Sequence, residues 1–450
     1  MDNKLFASKA DLARINVPPD FEWPLDLIFK MVSDNGANMK AAWNHGHRWL
    51  PCVDHTFELC TLPVTWVQKH LGSETISRGS VPEAYAHGRG IVGYLHVSPT
   101  AESDFHACQK KMGLPETKID LDVKTRWRTA HNMGEQLLYN KAAILEMDKN
   151  PAYKDSGETW GKHKITMGMW DFIEEGTAVL NKAADASQFL EGDKYPTSSM
   201  VIPMAFGLMA TSSPTQPVSF RNRADDDLND DSMNPVKVPH SELTKEMQDA
   251  RKRFHDSLVA RFDSDVSRDV KKFWLLASML DPRFKKLSFK NDRLLTPEMR
   301  ARALLLLRTE FEKNYKGKLS RTGAAPQRDA PPVASPHRKR RKVSVAGFFA
   351  NSDSEESEEE EQGEVDELDA YLALPQIKFK TERDSTEWWK EHSKDFPNVA
   401  VMARQYLGCP ASSATVERLF SLVGIAFAAK RKRAEAGTIE DIMFARCNLP

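Results

Sequence analysis

Residues 318–365 divide the chain, because their composition does not suit a packed core. The segment is polar and contains Pro, a basic run at 338–342, and most of an acidic stretch. In that stretch, residues 353–369 include eleven Asp or Glu and no Lys or Arg. Such a segment buries too little apolar surface to offset the conformational entropy lost on ordering. We therefore predict a disordered charged linker with globular structure on both sides.

The basic run consists of Arg338, Lys339, Arg340, Arg341 and Lys342. An exposed run of this kind is typical of a nuclear localisation signal or of non-specific phosphate binding. We favour nuclear import, so the predicted location is the nucleus. The formal net charge of −1 hides this local segregation of charge and does not exclude a nucleic-acid partner.

The bulk composition predicts a globular intracellular protein. The chain has 450 residues, of which 40% are hydrophobic and 28% charged, enough for two or three domains. No apolar run approaches the ~20 residues that span a bilayer, and the N-terminus is too polar for a signal peptide. Five scattered cysteines favour a reducing compartment over a disulfide framework. We expect no membrane partner.

The hydrophobic pattern predicts an α/β, mostly helical fold. Residues 1–65 mix short apolar runs with Gly and Pro, which suits a small α/β portion. From about residue 120 to residue 315 the apolar spacing is helical, interrupted by a polar stretch at 211–240 that we predict to be a loop. We assign residues 66–317 to a helical domain. Residues 366–450, the C-terminal region, return to a globular pattern. These boundaries define the predicted domains, with 318–365 as the linker.

Asp34, in the string VSDNGANM, is either a turn residue or one member of a metal-binding active site. It follows a short apolar run, and Asp-Asn-Gly is a common way for the chain to leave a strand. Taken alone, these residues favour the turn. Only partners elsewhere in the chain could change that interpretation.

Two Cys and two His have a spacing that suggests a loose zinc site: Cys52, His55, His106 and Cys108. The long gap between the pairs is unusual for structural zinc, so core thiols and a hydrogen-bonded His55 are the favoured interpretation. We predict no metal site.

The C-terminal region contains two helical patterns. Trp388 and Trp389 belong to EWWKEHSKDFPNVAVMARQYL, where they form either core or a subunit contact. Leu419 and Phe420 belong to ASSATVERLFSLVG, which looks like a capped helix with Glu417 in its first turn. The helix dipole favours a carboxylate there whether or not a metal binds.

Six strings, in order, resemble blocks of the hAT-family transposases: VSDNGANM, CVDHTFELC, DVKTRWRTAHNMGEQLL, YPTSSMVIP, LASMLDPRFKKL and the segment from DELDAYLALP to VERLFSLVG. The resemblance implies a partial ribonuclease H-like fold with a large all-α insertion. It also implies a C-terminal hAT dimerisation segment, so a second copy of the chain is an expected partner.

The resemblance also assigns roles to single residues. Asp34 and Glu417 would be the second and third catalytic carboxylates of a site that holds two Mg²⁺ ions. Arg126 and Trp127 would contact DNA, with Trp127 stacking on a base, and Cys52 and His55 would support the active site. The alternative for Trp127, which we favour slightly, is packing of the first helix of the insertion. Trp388, Trp389, Leu419 and Phe420 would lie in the dimerisation region.

The first catalytic carboxylate has no match in this sequence. Only 33 residues precede Asp34, and Asp11, Asp20 and Asp26 lie outside the family's sequence context. No N-terminal BED-type zinc finger is found either. We therefore predict a self-associating nuclear protein that is not an enzyme and needs no cofactor, with DNA as a second candidate partner. The alternative is an N-terminally truncated, active, Mg²⁺-dependent transposase.

Overall fold

The computed structural model describes residues 29–34, 36–43, 49–65, 78–123, 127–154, 160–220, 235–289, 294–317, 366–378, 385–418 and 421. The predicted linker at 318–365 lies outside these residues. Among the described residues, no helix has both the length and the apolar character needed to cross a bilayer.

The described residues are mostly helical, as the sequence predicts. The strands are β1 (Met31–Ser33), β2 (Trp49–Pro51), β3 (Val218–Phe220) and β4 (Val236–Val238). The helices before the linker are α1 (Ala37–Trp43), α2 (Val53–Thr65), α3 (Val81–Val97), α4 (Pro99–Lys111), α5 (Trp127–Tyr139), α6 (Lys141–Met147), α7 (Pro151–Lys154), α8 (Met167–Leu190), α9 (Val201–Ser212), α10 (Lys245–Val259), α11 (Arg268–Met279) and α12 (Pro297–Asn314). The C-terminal region adds α13 (Glu367–Ala373), α14 (Ser385–His392) and α15 (Pro397–Leu407).

Most of the long helices begin at a Ser or Thr whose side chain accepts a hydrogen bond from a backbone N–H three residues later. This cap satisfies one of the donors that the first helical turn leaves unpaired. The capping residues are Ser80, Ser98, Thr166, Thr244, Ser267 and Thr296. Local sequence therefore sets where these helices start.

The predicted α/β portion contains a parallel pair of strands. β1 and β2 pair in parallel with Met31 opposite Trp49, and α1 lies between them in sequence. Parallel strands require a crossover connection of this type. The chain passes from β2 almost directly into α2, whose residues Val53, Phe57 and Val64 are buried. α2 packs against α3, α5, α8 and α10, so the α/β portion and the helices after it share one core.

Two predicted elements differ from the structure. The polar stretch at 211–240 contains the antiparallel pair β3–β4, with Val218 opposite Val238. The pattern around Trp388 is two helices, because Pro397 occupies the first turn of α15 and cannot continue α14.

Candidate functional site

Asp34 lies in a turn immediately after β1 and is exposed to solvent. Its Oδ1 accepts a hydrogen bond from the backbone N–H of Gly36 at 3.1 Å, which is the pattern of an Asx turn. A Cβ built on Gly36 would come within 3.0 Å of the same Oδ1, so the turn is tight. This geometry supports the turn interpretation that the residues alone favour.

Glu417 lies on a short helical segment over residues 414–418 and is exposed. Its Oε1 accepts a hydrogen bond from Ser413 Oγ at 3.0 Å. Ser412 Oγ accepts from the N–H of Ala414 at 3.1 Å, which is a local cap at the start of this segment. Glu417 thus occupies the first helical turn, where the sequence predicts it.

The described residues do not form the two-metal site that the resemblance implies. Asp34 and Glu417 each bond to a neighbour in their own chain segment, as described above. Across the described part of the chain, no group of three or more His, Cys, Asp or Glu side chains could hold a metal ion. Two-Mg²⁺ chemistry needs carboxylates that converge from different elements.

A different carboxylate cluster lies where α2, the end of α8 and the 414–418 segment meet. Asp54, near the start of α2, accepts a hydrogen bond from Ser187 Oγ. The same hydroxyl lies 3.4 Å from Oε1 of Glu191, and Arg128 Nη2 donates to Glu191 Oε2 at 2.9 Å. Burial, followed by the charges of Glu191 and Glu417, raises the pKa of Asp54 to about 7. Sequence reasoning missed this cluster, because its members come from distant segments.

Arg418 attaches the 414–418 segment to the end of α8. Both of its terminal nitrogens donate to the backbone carbonyl of Glu191 at 3.1 Å, and Nη2 also donates to Asp193 Oδ2 at 3.2 Å. A cation near the C-terminus of a helix interacts favourably with the helix dipole. Arg418 therefore points toward the body of the protein.

Substitution of Asp54 by Asn should change how stability depends on pH. The pKa of the Asp54 carboxyl is about 7 in the folded state, against an ordinary value of 3.8. The folded state therefore binds this proton more tightly than the unfolded state does, and the stability gained in this way is fully present below pH 3.8. That contribution is lost as the pH rises through about 7. Between pH 5 and pH 7 the free energy of unfolding of the wild type should fall by up to ~1.4 kcal/mol per pH unit relative to that of Asp54→Asn. Denaturant unfolding of both proteins measures this, and parallel pH curves would contradict it.

Cys52 forms part of the contact between the start of α2 and the C-terminal region. Its Sγ lies 3.5 Å from Ser412 Oγ and accepts from the N–H of Ser413 at 3.4 Å. Burial raises the pKa of this thiol, as expected for a core cysteine. His55 Nδ1 lies 3.0 Å from Glu58 Oε2. These contacts support the interpretation of Cys52 as a core thiol and of His55 as a hydrogen-bonded histidine.

Trp127 begins α5 and is only 1% exposed. A ring that stacks on a base must present an open face, so this burial favours a packing role over base stacking. Its Nε1 is buried without a hydrogen-bond partner. Arg126 lies outside the described residues, and its contact with DNA stays a prediction.

Trp388 and Trp389 are buried within the chain, with exposures of 6% and 8%. Trp389 Nε1 donates to the carbonyl of Leu280 at 3.0 Å, and its ring centroid lies 5.1 Å from that of Tyr371. Of the two interpretations left open by the sequence, this placement supports core packing over a direct subunit contact, because the same chain already covers their apolar area. Leu419, Phe420 and the basic run at 338–342 lie outside the described residues.

The loop that follows α11, at residues 280–287, packs against the first helix of the C-terminal region, α13. Lys285 Nζ donates to the carbonyl of Tyr371 at 2.7 Å, and Tyr371 OH donates to the carbonyl of Met279 at 3.1 Å. Within the loop, Arg283 forms a bidentate ion pair with the fully buried Asp281, at 2.9 and 2.7 Å. The described helices of the C-terminal region, α13–α15, are therefore part of the same core as the helices before the linker.

Two family profiles match parts of this chain. Residues 367–449 match the profile of the hAT family C-terminal dimerisation region, and residues 75–169 match that of the ZBED1 RNase-like helical domain. The chain is 23% identical over 429 residues to a human protein, "Zinc finger BED domain-containing protein 4". It is 21% identical over 376 residues to a "Putative AC transposase" from Zea mays.

These alignments cover 93% and 79% of this chain. They cover only 31% and 40% of the two relatives, so the chain spans well under half of their length. The chain thus carries the hAT C-terminal dimerisation region and a ZBED1 RNase-like helical domain, and it is homologous to a zinc finger BED domain-containing protein and to a putative AC transposase.

Proposed function

We propose that this chain is a transposon-derived nuclear protein that self-associates through its C-terminal region and contacts DNA without cleaving it. The observation that carries the proposal is the match of residues 367–449 to a dimerisation region. The packing of α13–α15 onto the loop after α11 supports it, because it gives that region a defined fold.

The proposed protein is not a catalyst and requires no cofactor. This absence of catalysis is supported by the hydrogen bonds of Asp34 and Glu417, which each engage a near neighbour in sequence. A carboxylate held in an exposed turn has no built environment for a divalent ion. We therefore propose that these family positions are retained without catalytic function.

The remaining parts of the proposal rest on sequence and on the relatives. The basic run at 338–342 supports a nuclear location. One relative is named a transposase, which supports contact with DNA. The β1–α1–β2 unit and the RNase-like helical domain support descent from a ribonuclease H-like fold.

The alternative is an N-terminally truncated, active transposase that uses Mg²⁺. The length of the relatives favours it, because this chain covers less than half of each of them. In this alternative, carboxylates absent from this sequence would complete the set to which Asp34 and Glu417 belong.

A cleavage assay separates the two functions. We expect the purified full chain to leave DNA with hAT-element ends intact in Mg²⁺ or Mn²⁺, and the variants Asp34→Ala and Glu417→Ala to behave identically. The readout is nicked and joined DNA on a denaturing gel. Metal-dependent cleavage by the wild type that either substitution abolishes would establish the alternative.

A further inference from the structure

A short turn at residues 160–164 leads into α8 and packs against α3. Trp160 and Ile165, at the two ends of this 160–164 turn, are buried. Trp160 Nε1 donates to Asp148 Oδ1 at 2.8 Å, and Thr166 caps the start of α8. Because the turn runs directly into this cap, a change in the turn reaches the first residues of α8.

Two histidines meet where the 160–164 turn contacts α3. His87 Nδ1, on α3, lies 3.0 Å from the backbone carbonyl of Lys164. Because a carbonyl only accepts, this nitrogen carries a proton and donates it. The ring centroids of His87 and His163 lie 6.2 Å apart, with an angle of 82° between the ring planes. Both side chains are half-buried, so a charge on either ring is partly removed from water.

The ring of His163 lies directly against the backbone of α3 at Gly90. A Cβ built on Gly90 would come within 2.1 Å of His163 Cγ, so the ring takes the space that any other residue at this position would fill. Glycine allows a close approach of this kind to a helix backbone. The helix therefore covers part of the imidazole and excludes water from it.

The charged groups that act on His163 are basic. Burial, followed by the charges of His87 and Lys162, lowers the pKa of His163 below its ordinary value of 6.5. Neither neighbour can offset a proton on this ring. The other charged or titratable side chains of α3 and of the turn that take part in polar contacts engage partners elsewhere: Glu83 with the Gly79 N–H, Arg89 with Asp122, His96 with the Ile119 carbonyl and Lys164 with Asp148.

We propose that the 160–164 turn is a pH-sensitive contact, which holds to α3 while His163 is neutral and loosens when His163 takes up a proton. Protonation places a cation beside Lys162 and His87 against the helix backbone, where desolvation and like-charge repulsion both oppose it. Because the packed state disfavours the charged ring, the contact is at full strength above pH 6.5 and weakens as the pH falls below that value. This inference is independent of the proposed function.

Hydrogen–deuterium exchange of the full chain, read by mass spectrometry at about pH 7.5 and about pH 5.5, tests the proposal. Correction for the intrinsic pH dependence of amide exchange gives a protection factor for each peptide. We expect the peptide that covers residues 160–166 to lose at least about threefold in protection at the lower pH. His163→Gln carries a polar side chain that does not titrate, so its protection in this peptide should be the same at both pH values.

His96→Gln is the matched control, because His96 lies on the same helix and contacts the Ile119 carbonyl at 2.7 Å instead of the turn. This variant should lose protection at 160–166 as the wild type does. Equal protection of the wild type at both pH values would overturn the proposal, and this comparison needs no variant to fold. An equal loss in His163→Gln would also overturn it, as would a matching loss in peptides from the middle of α8, which would mean general unfolding.

Discussion

Replacement of Arg283 by Met should lower the free energy of unfolding by about 3–5 kcal/mol. Asp281 is completely buried, and Arg283 neutralises it through two hydrogen bonds at 2.9 and 2.7 Å. Asp281 Oδ2 also accepts a hydrogen bond from Ser199 Oγ at 2.7 Å. Removal of Arg283 leaves a buried charge without its cation. Urea unfolding of the wild type and the variant measures the difference.

A double variant separates lost charge pairing from lost packing. Asp281→Asn with Arg283→Met removes both charges and keeps an amide oxygen for Ser199, so we expect it to be more stable than Arg283→Met alone. Arg302→Met, at an exposed position of α12, is the matched control and should cost under about 0.5 kcal/mol. If Arg283→Met is no more destabilising than Arg302→Met, the buried pair does not hold this loop.

The second large effect is expected for Trp389→Ala, which should cost about 3–5 kcal/mol of unfolding free energy. The indole packs against Tyr371, and its N–H donates to the Leu280 carbonyl, so truncation opens a cavity and leaves that carbonyl unpaired. Unfolding curves recorded at one fixed protein concentration measure the loss.

Trp389→Phe is the control, because it keeps most of the apolar volume and should lose only about 1–2 kcal/mol. A tryptophan that served as a subunit contact would behave differently. Its truncation would leave the stability of the monomer nearly unchanged and weaken self-association selectively. That pattern would return Trp389 to the role that the family resemblance assigns.

The sequence predicts the local features of this fold well. α8 and α12 appear where the apolar spacing places them, and most of the long helices start at Ser or Thr caps. The Asp34 turn and the helical position of Glu417 also follow from short-range patterns. Such features depend on residues within one or two helical turns, which periodicity and capping preferences describe.

The non-local contacts could not be predicted in the same way. The spacing of a Trp pair on an amphipathic helix is equally consistent with core packing and with a subunit contact until the residues that the pair contacts are known. In the folded chain Trp389 contacts Tyr371 and Leu280. Likewise, nothing near Asp54 in sequence indicates Glu191 or Glu417, because the three meet only in the folded chain. The burial of Trp127 likewise depends on contacts with distant segments, which its local sequence does not indicate.

We propose self-association of a chain whose described C-terminal helices already pack onto its own body. Truncation after residue 365 tests this poorly, because it removes Tyr371 and Trp389 and uncovers the loop after α11. The direct measurement is light scattering behind a sizing column on the intact wild type over a wide range of loading concentrations. We expect a dimer or larger assembly that dissociates on dilution, whereas a monomer at every concentration would rule out self-association.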